Sequence, residues 1–280
     1  PATAPGSASI VAADTEICEA HLSNDTATRK ILITGAGTGF GRGAALALAE
    51  MGHEVIGGTI SDDEAADLSS LHPDLTGRKL DITDEADLSA AAELEVDVLL
   101  NNAGRGQLGP LAEVDIALVR EVFEVNVFGT LQITQAIIGG MKRRGGGRIV
   151  TVSSIAGVAS GALSGPYAMT KHALESFCKS LRVEMEPYNI EVVKLNPGPY
   201  ATGFNDAMVD GVDSQLAASS AGEVELGLAE GTRSRMLGNQ LDPQEIIDTM
   251  VHLCTAPDVP FETFKPDDIL ERYGLSPLRN

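Results

Sequence analysis

Lys30-Ile31-Leu32-Ile33-Thr34-Gly35-Ala36-Gly37-Thr38-Gly39-Phe40-Gly41 is the stretch that decides the fold of this chain. An apolar run of strand length ends in a glycine-rich turn, which leads directly into Arg42–Met51, an Ala- and Leu-rich stretch of helical period. Glycine lets a backbone turn tightly and approach a pyrophosphate closely, and the free N–H groups and positive dipole end of a helix start attract that anion. The spacing is T-G-x-x-x-G-x-G rather than G-x-G-x-x-G, because Phe40 occupies the place of the last glycine.

The pattern repeats outward from that turn. Lys30–Thr34, Val55–Gly58, Val96–Leu100, Arg148–Ser153 and Ile190–Leu195 read as buried strands, with helices expected near 40–51, 61–70, 83–94, 112–142 and 166–186. Such alternation implies parallel strands joined by crossover helices, a doubly wound α/β domain covered on both faces. Residues 30–280 are read as one such domain, and residues 1–29, rich in Ala, Ser and Thr, as a weakly structured extension in which Ile10–Leu22 could form a short amphipathic helix. Ligands of such sheets bind beyond the carboxyl ends of the strands, so chemistry is sought in the loops that follow them.

Composition narrows the function classes. Of 280 residues 43% are hydrophobic and 21% charged, the profile of a globular chain with a real core. The formal charge of −20 makes nucleic acid an unfavourable partner. No run reaches the roughly 18 apolar residues of a membrane-spanning helix, and no basic-then-apolar leader opens the sequence, so a cytoplasmic protein is expected. Cys18, Cys178 and Cys254 are too far apart for a metal cluster or a disulfide framework.

The loops carry further motifs in order. Asp81 and Ile82 precede the helix near 83–94. Asn101-Asn102-Ala103-Gly104 follows the strand at 96–100. Asn126 lies within Glu124-Val125-Asn126-Val127-Phe128-Gly129, Ser153-Ser154 closes the next strand, Tyr167-Ala168-Met169-Thr170-Lys171 gives Y-x-x-x-K, and Asn196-Pro197-Gly198-Pro199-Tyr200-Ala201-Thr202 follows the strand at 190–195. Over residues 30–202 this series resembles the short-chain dehydrogenase/reductase family, whose fold is a Rossmann domain. The resemblance implies a cofactor site at Gly35, Thr38, Gly39, Phe40, Gly41, Thr59, Asp81, Ile82, Asn102, Ala103, Gly104, Pro197, Gly198 and Thr202, joined by Tyr167 and Lys171. It implies a catalytic set of Asn126, Ser154, Tyr167 and Lys171, and no metal.

Tyr167 and Lys171 stand four apart and share a helix face, so an ammonium beside the phenol is expected to lower a pKa that is ordinarily near 10. By the resemblance Lys171 also binds the nicotinamide ribose, Ser154 bonds the substrate oxygen and Asn126 holds a water leading to Lys171. The implied activity is hydride transfer between nicotinamide and a carbonyl or secondary alcohol, with Tyr167 moving the proton. The competing readings are a catalytically silent dinucleotide-binding redox sensor and a lyase like the halohydrin dehalogenases. The first needs neither Ser154 nor Asn126. The second replaces the Lys and spoils the glycine turn, both of which are intact here.

Between NAD and NADP the reading leans to NAD. Thr59 and Ile60 stand where an Asp or an Arg would mark the choice, Thr38 is not basic, and Asp62 and Asp63 would face a 2′-phosphate without a cationic partner. Arg42 could reach that phosphate but reads more simply as a surface residue at the helix start. The stretch 203–240 is expected to form a substrate lid, with Phe204, Met208, Val209, Leu216 and Met236 either walling an apolar pocket or packing on the core. Only Arg105 and Gln107 offer polar selection among the small residues of 105–110 and 155–166, so a neutral, bulky ketone or secondary alcohol is expected. The chain lacks the family's V-D-G-G-like tail, ending instead through Asp258–Pro266 and a short helical stretch with Tyr273. A homodimer or homotetramer through 112–142 and 166–186 is the remaining expectation.

Overall fold

The computed structural model describes residues 27–218 and 222–275, with only the backbone described at 213–215, 217 and 218. Nearly all of the expected N-terminal extension, with Cys18 and Ile10–Leu22, therefore lies outside the described residues. Seven strands, β1 (Lys30–Ile33), β2 (Glu54–Thr59), β3 (Leu75–Lys79), β4 (Val98–Asn101), β5 (Gly147–Val152), β6 (Ile190–Pro197) and β7 (Glu262–Lys265), form one sheet in the order β3-β2-β1-β4-β5-β6-β7. Every pairing is parallel. The chain winds outward from β1 to β3, returns to β4 beside β1, and winds the other way to β7, so the direction reverses between β1 and β4.

Five of the seven strands announce themselves as apolar runs. β3 (Leu-Thr-Gly-Arg-Lys) and β7 (Glu-Thr-Phe-Lys) do not, because both are edge strands and only Leu75 of their side chains is fully buried. The C-terminal segment read as departing from the family thus supplies the sheet's last strand, followed by a short helix at Ile269–Arg272 that stops just before Tyr273.

Helices α1 (Gly39–Glu50), α2 (Asp62–Ser69) and α9 (Gln244–Thr255) cover one face. Ala44, Ala45, Leu48, Leu68, Ile246 and Met250 meet Ile31, Ile33, Val55 and Leu100 there. Helices α3 (Glu85–Ala92), α5 (Thr130–Arg144) and α6 (Gly165–Met185) cover the other, where Ile133, Ile137, Cys178 and Leu181 meet Leu32, Leu99 and Ile149. Ile31, Leu32 and Ile33 are fully buried, and each contributes about 1.5–3 kcal/mol. A smaller cluster joins α7 (Phe204–Ala218) and α8 (Glu223–Leu237) to Leu108 and Leu163. The helix expected at 112–142 is α4 (Ile116–Phe123) continued into α5 through a single π-helical turn, Glu124–Gly129, which contains Asn126. Such turns recur at functional sites.

Candidate active site

At the carboxyl ends of the strands lies a cleft of about 1310 Å³, larger than the 300–1,000 Å³ of a site for one drug-sized ligand. Every site residue expected from the sequence lines it except Gly41 and Asn126, which stand behind its wall. The glycine turn explains its own composition. Gly35 adopts φ +65°, and a Cβ there would stand 2.8 Å from the Ala103 Cα; one on Gly41 would stand 2.3 Å from the Gly35 carbonyl oxygen. The turn is locked to β4, since Asn102 donates from Nδ2 to the carbonyls of Thr34 (3.0 Å) and Gly35 (2.9 Å). The Thr34 hydroxyl accepts from the N–H groups of Asn102 and Ala103, both at 3.0 Å. Asn102 therefore fixes the shape of the turn, and Thr34, the first residue of the T-G-x-x-x-G-x-G stretch, shares that task.

Farther round the cleft, Phe40 packs edge-on against Tyr200 (ring centroids 5.9 Å apart), whose hydroxyl donates to Glu245 at 2.7 Å. Thr202 lies against Gly39, and the Gly198 N–H donates to the Lys265 carbonyl of β7 at 2.7 Å. The Asp81 carboxylate accepts from the N–H and hydroxyl of Thr83. Thr59 is buried and its hydroxyl donates to the Ser61 carbonyl at 2.9 Å. Arg42 is ion-paired with Asp67 at 2.7 Å and also reaches the Gly37 carbonyl of the glycine turn at 3.5 Å.

Ser154, Tyr167 and Lys171 converge on the cleft from the end of β5 and the first turns of α6. Ser154 lies near enough to the Tyr167 phenol to pull its pKa down, and the Lys171 ammonium donates to the Val152 carbonyl at 2.9 Å, 5.6 Å from the Tyr167 ring centre. The expected lowering of the Tyr167 pKa is not found. Burial pushes the phenol up, against the opposing pull of Ser154, and pulls the buried Lys171 down to about 8, against the opposing charge of Glu175. For both groups the loss of solvation on burial is the largest cause of the shift.

Asn126, 1% exposed, has its amide committed. Oδ1 accepts from the Arg105 N–H (2.7 Å), and Nδ2 donates to the Arg105 carbonyl (2.9 Å) and the Thr170 hydroxyl (3.0 Å). The π-helical turn thereby clamps the loop after β4 to α6. Behind the site lies a buried ionic network that no motif announced. Glu175 accepts from Ser153 and Asn196 on one oxygen, both at 2.6 Å, and from Lys194 on the other, while Lys194 also pairs with Glu262. Asn196 further donates to the Ser154 carbonyl at 3.1 Å, tying the network to the site.

Of the expected apolar residues, Phe204, Met208 and Met236 line the cleft, whereas Val209 and Leu216 pack inside the α7–α8 cluster. Both polar selectors are already engaged: Arg105 pairs with Glu121 at 3.1 Å, and Gln107 donates to the Leu108 carbonyl at 2.6 Å. Arg235 lines the rim and donates to Thr232 at 3.1 Å, and Thr232 donates to the Ala162 carbonyl at 3.2 Å, fastening α8 to the loop before α6. No helix among the described residues is long and apolar enough to cross a membrane, and none of their His, Cys, Asp and Glu side chains group as metal ligands.

A glycine turn at the sheet's reversal point, beside a Ser–Tyr–Lys set, is the arrangement of a Rossmann-type oxidoreductase. The chain belongs to the short-chain dehydrogenase/reductase family, for the family model described as short chain dehydrogenase matches residues 29–213. It is 32% identical to the uncharacterized oxidoreductase YusZ of Bacillus subtilis over 235 residues, 80% of this chain and 84% of that one. Human retinol dehydrogenase 8 is 34% identical over 194 residues, 65% of this chain and 62% of that protein, so the match spans less than two thirds of the human protein's length. Among solved structures, a short-chain dehydrogenase from Streptomyces avermitilis superposes with a TM-score of 0.76 at 29% identity, covering 88% of this chain and 90% of its own. A Brucella melitensis 3-ketoacyl-(acyl-carrier-protein) reductase complexed with NADH gives 0.70 at 26% identity, covering 85% and 96%.

Proposed function

We propose that this protein transfers a hydride between a nicotinamide dinucleotide, NAD in preference to NADP, and the carbonyl or secondary-alcohol carbon of an apolar substrate, with Tyr167 as the proton donor and acceptor. The observation that carries the proposal is the meeting of Ser154, Tyr167 and Lys171 in the cleft that the glycine turn opens. The tight turn that Gly35 and Gly41 permit at a helix start, and a volume sufficient for a dinucleotide beside a second molecule, fit that cofactor. When bound, the nicotinamide supplies or takes the hydride. In reduction, Ser154 and Tyr167 donate hydrogen bonds to the substrate oxygen, and Tyr167 gives its proton as negative charge develops there. Lys171 then lies beside the resulting phenolate. In oxidation Tyr167 must first lose its proton, so its raised pKa makes alcohol oxidation climb with pH.

The engaged Arg105 and Gln107, and a wall of Leu108, Phe204, Met208 and Met236, favour an apolar substrate body; the retinol in the name of the human relative is an alcohol of that class. Helices α7 and α8 serve as the lid, and the α4–α6 side serves self-association. Tyr167→Phe tests the reading. It retains ring packing on Phe204 (centroids 5.8 Å apart) and dinucleotide binding, followed as a rise in thermal unfolding midpoint. It loses about 10²- to 10⁴-fold in turnover of apolar secondary alcohols. Turnover that survives the substitution nearly intact refutes the role given to Tyr167.

A further inference from the structure

One carboxylate at the far end of the cleft belongs to no motif of the family resemblance. Glu64 is the third residue of α2, whose N-cap Ser61 accepts from the Glu64 N–H at 3.2 Å. Its side chain turns back over the helix start, and Oε2 accepts from the N–H of Ile60, the residue just after β2, at 3.2 Å. The same oxygen stands 2.6 Å from where a Cβ would lie on Gly37, so the carboxylate rests directly on the glycine turn. Glu64 lines the cleft. It bridges the end of β2 and the phosphate turn, the two elements that flank the adenosine ribose in such folds. The position at the end of β2 itself is taken by Thr59, whose hydroxyl is committed elsewhere.

The surrounding charge points the same way. Asp62 and Asp63 precede Glu64 in the first turn. Of the nearby cations, Arg42 pairs with Asp67 at 2.7 Å and reaches the Gly37 carbonyl at 3.5 Å, Lys79 pairs with Asp87 at 2.7 Å, and neither they nor Arg78 of β3 line the cleft. We infer that Glu64 selects the dinucleotide: its carboxylate accepts a hydrogen bond from a free 2′-hydroxyl on the adenosine ribose and repels a 2′-phosphate. The inference rests on the oxidoreductase reading above and adds a specificity-determining residue to it, supplied from a helix start rather than from the strand end.

Glu64→Gln separates charge from structure, because a glutamine still accepts from the Ile60 N–H while the repulsion is removed. Fluorescence titration and thermal unfolding of the full chain with NADH and NADPH, without substrate, read the result directly. The unaltered protein is expected to bind NADH about 100-fold more tightly than NADPH, a ratio that shrinks as salt is raised. Glu64→Gln is expected to tighten NADPH binding by about tenfold or more, and to weaken NADH by only a few-fold as a charge-assisted bond becomes a neutral one. A ratio unchanged by the substitution overturns the inference and leaves the oxidoreductase reading standing; an unaltered protein that prefers NADPH overturns the inference and the NAD preference and leaves only the hydride-transfer reading. Binding of neither dinucleotide to the unaltered chain overturns both. The salt dependence serves as a second arm that needs no variant, since a ratio insensitive to ionic strength contradicts an electrostatic selector.

Discussion

Replacing Lys171 with methionine should make the unliganded protein more stable at neutral pH while removing its activity. The ammonium is 4% exposed, and burial draws its pKa from 10.5 to about 8. At 1.36 kcal/mol per pH unit, keeping that charge in the folded state costs about 3 kcal/mol at pH 7. Methionine removes the cost and fills similar space, but leaves the Val152 carbonyl without its 2.9 Å donor, a loss of about 1–3 kcal/mol. The net expectation is a gain of about 1 kcal/mol. The pH dependence is the sharper signature. Between about pH 8 and 10.5 the unfolded chain holds the Lys171 proton and the folded chain does not, so stability from this group rises with pH. Lys171→Met lacks that rise, and its advantage should shrink steadily over the interval. Cys254, pushed up to about 12 by burial, acts in the opposite direction in both proteins and cancels in the difference; Cys178, also pushed up to about 12, interacts with Lys171 and cancels only in part. Urea unfolding of the two proteins at pH 7, 8, 9 and 10 provides the measurement. A difference that stays constant across that range refutes the view that burial of a charged lysine is being measured.

Two further substitutions test other parts of the site. Gly41→Ala places a methyl 2.3 Å from the Gly35 carbonyl oxygen and 2.5 Å from Asn102 Nδ2, so dinucleotide affinity should fall at least about tenfold and stability by about 1–3 kcal/mol; titration and unfolding midpoint report the two effects. Glu175→Gln leaves Lys194 with Glu262 alone and puts an amide where Ser153, Asn196 and Lys194 all donate. A loss of about 3 kcal/mol in urea unfolding is expected, and a loss below about 0.5 kcal/mol would show that the network is better hydrated than its burial implies.

Most of the fold is legible because the central strands are buried on both faces and must be apolar throughout. Lys30–Ile33 and Arg148–Val152 could be read from composition alone, whereas β3 and β7 could not, since an edge strand with a solvated side needs no such run. The motifs were legible for a different reason. Gly35, Gly41, Tyr167 and Lys171 occupy positions where the backbone path or the helix repeat restricts the residue type, so their spacing survives in one dimension. Glu64 shows where that logic weakens. Ser61-x-x-Glu64 is visible as a capping box, but nothing local to it says that its carboxylate rests on Gly37, a contact made across 27 residues. The π-helical turn at Asn126 is hidden for the same reason, since its clamp reaches both Arg105 and Thr170.

The least legible feature, the network of Glu175, Lys194 and Glu262, has a reason to exist that follows from Lys171. A lysine buried in the wall of a cleft loses solvation, and left to burial alone it would tend to discharge near neutral pH. Glu175 stands one helical turn beyond it and raises its pKa. That carboxylate is itself buried, and a buried charge is costly unless it is paired and hydrogen-bonded. Lys194 on β6 supplies the pair, and Glu262, its register partner on β7, balances Lys194 in turn. The hydrogen bonds from Ser153 and Asn196 occupy the remaining carboxylate oxygen, and Asn196 reaches on to the Ser154 carbonyl. The edge strand β7, unmarked by any apolar run, thus carries the charge at the end of a chain of compensation that begins at the cleft. On this argument Glu175→Gln should lower the pKa of Lys171 as well as the stability of the fold, a shift that stability data alone would not reveal but a pH profile of turnover would.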